Sequence, residues 1–239
     1  MSTKINLICL PYAGAGASIF FQWRQTGIEN MNIICPELAG KDKRFNEPLY
    51  ESIEQEISDI TNQLSKNCDC SNQPTVFFGH SFGAILAYEL ARFFEKNFGN
   101  NHLGLLVSGS PAPTLKRRGD VTHLSDSEFL AGVEKLAGYK HPALEDEMLR
   151  ELFLPVIRRD VELHETYVHK WKEKSNIPVV CLYGNSDHLV NDEEALAWRD
   201  ITSNDLKIKK VAGGHMFWLD DLNLIFQEIK ELAIKIAEQ

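Results

Sequence analysis

The chain has 239 residues, a formal net charge of −9, 44% hydrophobic residues and 25% charged residues. This composition is typical of a folded protein large enough to form a core without disulfide or metal cross-links. The net negative charge argues against general binding to nucleic acid, and no apolar run reaches the roughly 20 residues that span a membrane. Three of the five cysteines lie in apolar runs, which favours a reducing compartment, so we expect a cytoplasmic protein without an export signal.

Short apolar runs alternate with amphipathic segments along the chain, a pattern that predicts an α/β fold with a mostly parallel, twisted sheet and helices on both faces. Strands are predicted at Ile5–Leu10, 32–35, 75–78, 103–107, 178–183 and Leu206–Val211, and helices at 53–64, 82–94 and 225–236.

The strand pattern stops between residues 115 and 174. Three helices are predicted in this segment, at 127–136, 144–153 and 158–171. A helical insertion between two strands of such a sheet commonly covers an active site. We therefore predict a single domain, 1–239, that carries a helical lid over 115–174.

The sequence Gly-His-Ser-Phe-Gly at 79–83 fits G-x-S-x-G, a motif that indicates a catalytic serine. It follows a predicted apolar strand and opens a predicted helix, and a serine in such a turn is lifted clear of the backbone. Ser81 is therefore the candidate nucleophile. A glycine-rich turn with an inert surface serine is the alternative, and the strand-to-helix setting disfavours it.

A helix N-terminus favours negative charge, so the Phe82 backbone amide is a candidate donor to an oxyanion. The second donor is expected from the loop after the first strand, and we predict the backbone amide of Ala13. This loop does not fit the dinucleotide-binding pattern, because Ile19 stands at the third glycine position.

His215 follows the last predicted strand in the sequence Gly-Gly-His-Met-Phe, and Asp187 follows the strand before it. Both should lie at the edge of the sheet where Ser81 lies. The chain order Ser, Asp, His is that of α/β-hydrolases. We predict His215 as the base and Asp187 as the acid that orients it. Cys68 and Cys70 suggest a metal or redox pair only weakly, and we predict no metal site.

These motifs resemble those of type II thioesterases, the free-standing editing enzymes of polyketide and nonribosomal peptide biosynthesis. The resemblance covers nearly the whole chain. It rests on Cys-Leu-Pro-Tyr-Ala-Gly at 9–14, Pro-Glu-Leu-Ala-Gly at 36–40, the two catalytic motifs, and Leu154-Pro155 with Arg158 and Asp160. Ala15 and Lys41 depart from the family pattern, where glycine and arginine are more usual.

The resemblance implies the α/β-hydrolase fold, with an oxyanion hole at Ala13 and Phe82. It also implies hydrolysis of an acyl thioester on the phosphopantetheine arm of an acyl or peptidyl carrier domain. The enzyme would need no cofactor of its own, because the substrate carries the phosphopantetheine. We expect a monomer that binds neither membrane nor nucleic acid, with Lys116-Arg117-Arg118 or Arg158-Arg159 as candidate docking cations.

Two alternatives remain open at this point. A carboxylesterase, lipase or acyltransferase would use the same triad on the same scaffold. A carrier-binding module without catalysis would keep the fold, although the three intact side chains speak against it. The acyl group and the partner synthetase are not predictable from the sequence.

Overall fold

The computed structural model describes residues 5–28, 30–70, 72–99, 102–117, 120–138 and 144–238. These residues form a six-stranded parallel sheet in the order β2-β1-β3-β4-β5-β6. The strands are β1 (Ile5–Leu10), β2 (Met31–Ile34), β3 (Thr75–His80), β4 (Leu103–Ser108), β5 (Val179–Gly184) and β6 (Leu206–Val211). The predicted parallel sheet is confirmed, with every strand within two residues of its predicted bounds.

The helices in the described ranges are α1 (Phe21–Thr26), α2 (Ile53–Asn67), α3 (Phe82–Phe98), α4 (Asp126–Ala137), α5 (Glu147–Glu165), α6 (Asp192–Leu196) and α7 (Leu222–Ala237). Side-chain caps fix several of their starts. Ser52, Asp146 and Asp221 each accept a hydrogen bond from an amide three residues later, at 3.0–3.2 Å. Within these ranges, no helix has both the length and the apolarity needed to cross a bilayer.

Alternate residues of the central strands face two separate layers of helices. In β1, Ile8 and Leu10 belong to the apolar cluster that contains the buried faces of α2 and α3. Leu7 and Cys9 belong to the cluster formed with α1 and α7. Because successive side chains of a strand point to opposite faces, this division places helices on both sides of the sheet, as predicted.

The insertion between β4 and β5 differs in part from the prediction. The helix predicted at 127–136 is present as α4, whereas those predicted at 144–153 and 158–171 are one helix, α5, that contains Pro155 and ends at Glu165. An internal proline costs a helix about 3 kcal/mol. Val156, Asp160 and Leu163 are buried after the proline, and this packing holds the helix together across it.

Cys68 and Cys70 are joined by a disulfide, which the cysteine usage of a reducing compartment does not predict. Cys9, Cys35 and Cys181 are free. A sequence shows that two thiols are close along the chain but not whether they are oxidised.

The two edge strands of the sheet are of different kinds. β2 has only four residues. β6 is longer and carries Lys207, Lys209 and Lys210. Lys207 and Lys209 lie 2.6 Å and 2.9 Å from the carboxylate of Glu228, a buried residue of α7.

Three buried ionisable groups lie close together beneath α5. The Nζ atom of Lys41, in the loop after β2, lies 2.6 Å from a carboxylate oxygen of Asp160 in α5. The exposed fractions of these two side chains are only 4% and 5%. Glu56 of α2 lies near them, fully buried, and neither of its carboxylate oxygens has a hydrogen-bond partner in the described part of the chain. Burial raises the pKa of Glu56 to about 8, against the opposing effect of Lys41.

The raised pKa predicts how stability depends on pH. The folded protein keeps Glu56 protonated up to pH about 8, whereas the unfolded chain releases this proton near its ordinary value of 4.5. The stabilising contribution is therefore complete below that value and is lost as the pH rises through the folded pKa. Between pH 6 and pH 9, we expect the melting temperature of Glu56→Gln to fall by roughly 5 °C less than that of the wild type.

Glu54→Gln is the matched control, because Glu54 is an exposed carboxylate on the same helix. Its melting temperature should follow the wild-type curve. Parallel curves for Glu56→Gln and the wild type would show that Glu56 does not hold a proton in the folded state.

Candidate active site

Ser81 lies in the turn between β3 and α3 with a left-handed backbone, at φ 55° and ψ −117°. A serine rarely adopts this conformation, which costs of order 1–3 kcal/mol. Its amide donates to the carbonyl oxygen of Ser108 at 2.8 Å, and the flanking strand and helix are buried. The fold therefore holds the serine in the strained turn that G-x-S-x-G predicts.

The start of α3 packs directly against the end of β1. A Cβ atom at Gly83 would lie 2.4 Å from the carbonyl oxygen of Leu10 and 2.5 Å from that of Pro11, so only glycine allows this approach. The loop that carries Ala13 is thereby held next to the Phe82 amide. Neither of these two amides has an acceptor in the described parts of the chain, which leaves both available to a ligand oxygen.

His215 and Asp187 form a hydrogen-bonded pair. The His215 Nδ1 atom lies 2.9 Å from Asp187 Oδ2, and both side chains are buried. The other carboxylate oxygen accepts from the Leu189 amide at 2.8 Å. The loops that follow β5 and β6 are tied together because the Ser186 amide donates to the carbonyl oxygen of Gly213 at 2.9 Å. The carboxylate is thus placed to fix the ring and its tautomer.

A cavity of about 720 Å³ opens onto both Ser81 and His215. Ala13 of the first loop lines it as well. The insertion contributes an apolar wall, formed by Leu130 and Val133 of α4 and by Phe153, Ile157 and Val161 of α5. The structure therefore brings Ser81, His215 and Ala13 to one chamber, with Asp187 behind the imidazole.

His80 is a part of this site that the motif alone does not reveal. Its ring centroid lies 4.8 Å from that of His215, and its Nδ1 atom lies 3.0 Å from Ser108 Oγ. Burial, with a smaller effect of His215, holds the pKa of His80 well below its usual range. His80 is therefore a neutral neighbour, and a second positive charge does not compete with an imidazolium at His215.

The arginines suggested for carrier docking make contacts within the fold. Arg117 is buried and donates to the carbonyl oxygen of Pro111 at 3.0 Å. Arg158 donates to the Leu124 carbonyl oxygen at 3.0 Å and lies over the ring of Phe129. Arg159 donates to the carbonyl oxygen of Tyr50 at 2.7 Å, a residue of another segment. Sequence does not distinguish such structural arginines from exposed ones, and Arg118 lies outside the described residues.

The pairing of His215 with Asp187 predicts a large effect of one isosteric change. Asp187→Asn should lower kcat roughly 10³- to 10⁴-fold, because an amide cannot stabilise the imidazolium or hold the same tautomer. Asp192→Asn is the matched control, since Asp192 follows the same strand but binds Tyr183 and Lys210. Hydrolysis of an activated ester measures both. Similar rates for the two variants would remove Asp187 from the mechanism.

Comparison with known proteins shows the family of this chain. The family model described as "Thioesterase domain" matches residues 5–232. The chain is 33% identical to the thioesterase PikA5 of Streptomyces venezuelae over 96% of its own length and 81% of the relative's. It is 29% identical to the gramicidin S biosynthesis protein GrsT of Aneurinibacillus migulanus over 99% of its length and 92% of the relative's. Among solved structures it matches BorB, the type II thioesterase of the borrelidin biosynthetic cluster, with a TM-score of 0.87 and 34% identity over 98% and 94% of the two chains. The chain belongs to the thioesterase family, whose members are hydrolases with the α/β-hydrolase fold.

Proposed function

We propose that this thioesterase hydrolyses acyl thioesters from the phosphopantetheine arm of carrier domains, and so edits or releases acyl groups in polyketide or nonribosomal peptide biosynthesis. The observation that carries the proposal is the chamber that joins Ser81 and His215 to an apolar wall of α4 and α5. Such a chamber suits an acyl chain attached to a slender arm. The names of the relatives, which refer to PikA5, gramicidin S biosynthesis and the borrelidin cluster, support this class of pathway.

The proposed chemistry has two halves. His215 takes the proton of the Ser81 hydroxyl as the serine oxygen bonds to the thioester carbonyl carbon, and Asp187 stabilises the resulting imidazolium. The negative oxygen of the tetrahedral intermediate accepts from the amides of Ala13 and Phe82. The carbon–sulfur bond then breaks, and the imidazolium proton goes to the departing thiolate.

The second half releases the acid. His215 takes a proton from water as the water oxygen attacks the acyl-serine, and it returns this proton to Ser81 when the ester bond breaks. A thiol has an ordinary pKa near 8.5, so it leaves with less assistance than an alcohol or amine. The enzyme contributes no cofactor in this scheme, because the phosphopantetheine belongs to the substrate.

A thioesterase of carrier domains and an oxygen-ester hydrolase should differ in their substrate preference. With one acyl group presented on a carrier domain and as a matched oxygen ester, we expect kcat/KM to be at least about tenfold higher for the carrier thioester. Release of free acid and free carrier thiol, followed by mass spectrometry, measures the reaction. Ser81→Ala should abolish it.

Each alternative gives a different result in the same assay. A preference for the oxygen ester would favour a carboxylesterase or lipase. Transfer of the acyl group to an added alcohol or amine instead of water would favour an acyltransferase. Carrier binding without turnover, equal in wild type and Ser81→Ala, would favour a non-catalytic module.

We retain two further expectations as parts of the proposal, a monomer and a cytoplasmic location. The free state of Cys9, Cys35 and Cys181 supports the location, and the disulfide between Cys68 and Cys70 opposes it. Light scattering of the purified protein and fractionation of the cells that make it test the two expectations.

A further inference from the structure

A buried carboxylate connects the helical insertion to the loop that carries Ala13. Asp160 of α5 accepts a hydrogen bond from the Gly14 amide at 2.7 Å, although the two residues are 146 positions apart. The same oxygen lies 2.6 Å from Lys41 Nζ. We propose that Asp160 is a positioning residue, which acts through Gly14 to aim the Ala13 amide at the oxyanion. The inference rests on the proposed role of Ala13.

The hydrogen bonds of this turn explain why one amide remains available. The Ala15 amide donates to the carbonyl oxygen of Tyr12 at 3.0 Å, and the Gly14 amide donates to Asp160. Ala13 lies within the same turn, and its amide has no acceptor in the described segments. The Tyr12 carbonyl and the Ala13 amide share one peptide plane, so the bond from Ala15 restricts the direction of the Ala13 amide. The bond from Gly14 to Asp160 holds the next peptide plane, which anchors Ala13 from its other side.

The contact between α5 and this turn is close enough to transmit a displacement. Gly14 has a positive φ of 82°, and a Cβ atom there would lie 2.5 Å from Ile157 Cγ1, one turn before Asp160 on α5. Both Gly14 and Ile157 line the catalytic chamber. The helix that forms the chamber wall therefore also holds the oxyanion loop, and movement of α5 away from the sheet would release the loop.

The charge of Asp160 is compensated within the protein. Lys41 pairs with it, and Glu56, the third member of the group, is protonated at neutral pH. The amide of Gly14 thus receives a charged acceptor, which gives a stronger hydrogen bond than a neutral one. A charged acceptor held by packing and by Lys41 restricts the loop more firmly than a water molecule would.

The experiment removes the acceptor of the Gly14 amide without leaving a buried charge unpaired. The double variant Lys41→Met/Asp160→Leu replaces the buried ion pair with apolar side chains of similar size, a change that is often neutral or stabilising for folding. Loss of an oxyanion donor costs about 10²–10³ in rate, so a misdirected donor should cost roughly 30- to 100-fold in kcat with little change in KM. Lys41→Met/Asp160→Asn, which keeps an oxygen for Gly14 and also leaves no unpaired charge, should stay within about fivefold of wild type.

Glu162→Gln is the matched control, because Glu162 lies on the same helix and pairs with Arg159 away from the chamber. Melting temperature is measured for every variant. The rate at which a fluorophosphonate labels Ser81 is measured beside thioester hydrolysis. In that reaction the serine oxygen bonds to phosphorus, fluoride leaves, the hydroxyl proton passes to His215, and the phosphonyl oxygen occupies the oxyanion hole.

Slow labelling and slow hydrolysis by folded Lys41→Met/Asp160→Leu, with near-normal rates for Lys41→Met/Asp160→Asn and Glu162→Gln, support the positioning role. Labelling of folded Lys41→Met/Asp160→Leu within threefold of Glu162→Gln overturns it. Wild-type protein that labels at Ser81 but does not hydrolyse carrier thioesters contradicts the proposed substrate, and the labelling series then still decides the role of Asp160. Wild-type protein that does not label at Ser81 overturns both.

Discussion

The strained backbone of Ser81 is the constraint on which the rest of the site depends. A left-handed serine persists only where the surrounding structure determines the turn, and here β3 and α3 are both buried on either side of it. The close contact of Gly83 with the end of β1 fixes where the first loop must lie. One turn therefore sets the position of Ser81, the proposed nucleophile, of the Phe82 amide and of the loop that carries Ala13.

Electrostatic asymmetry between two neighbouring histidines follows from their surroundings. His215 faces a buried carboxylate at 2.9 Å, whereas His80 is fully buried beside it with its Nε2 atom unpaired in the described structure. Burial holds the pKa of His80 well below its usual range and keeps this ring neutral. In the proposed mechanism, the positive charge is therefore carried by the ring next to Asp187, not by His80.

Much of the fold could be predicted because its signals are local. Apolar runs and their spacing identify the six strands, and the Gly-His-Ser-Phe-Gly motif identifies Ser81 from the sequence alone. The contacts that escaped prediction join distant segments. The bond between Asp160 and Gly14 and the burial of Arg117 depend on how the insertion folds back over the sheet. The predicted break near Pro155 is absent because the packing of Val156, Asp160 and Leu163, which follow the proline, overrides this local breaking signal.

The lysines of β6 affect how readily a second chain can associate with the edge of the sheet. An exposed edge strand offers unpaired backbone groups on which a second chain can extend the sheet, and charged side chains along the edge oppose such growth. Lys207, Lys209 and Lys210 supply these charges on one side, and β2 is too short to be a good template on the other. Extension of the sheet by a second chain is therefore disfavoured at both of its edges.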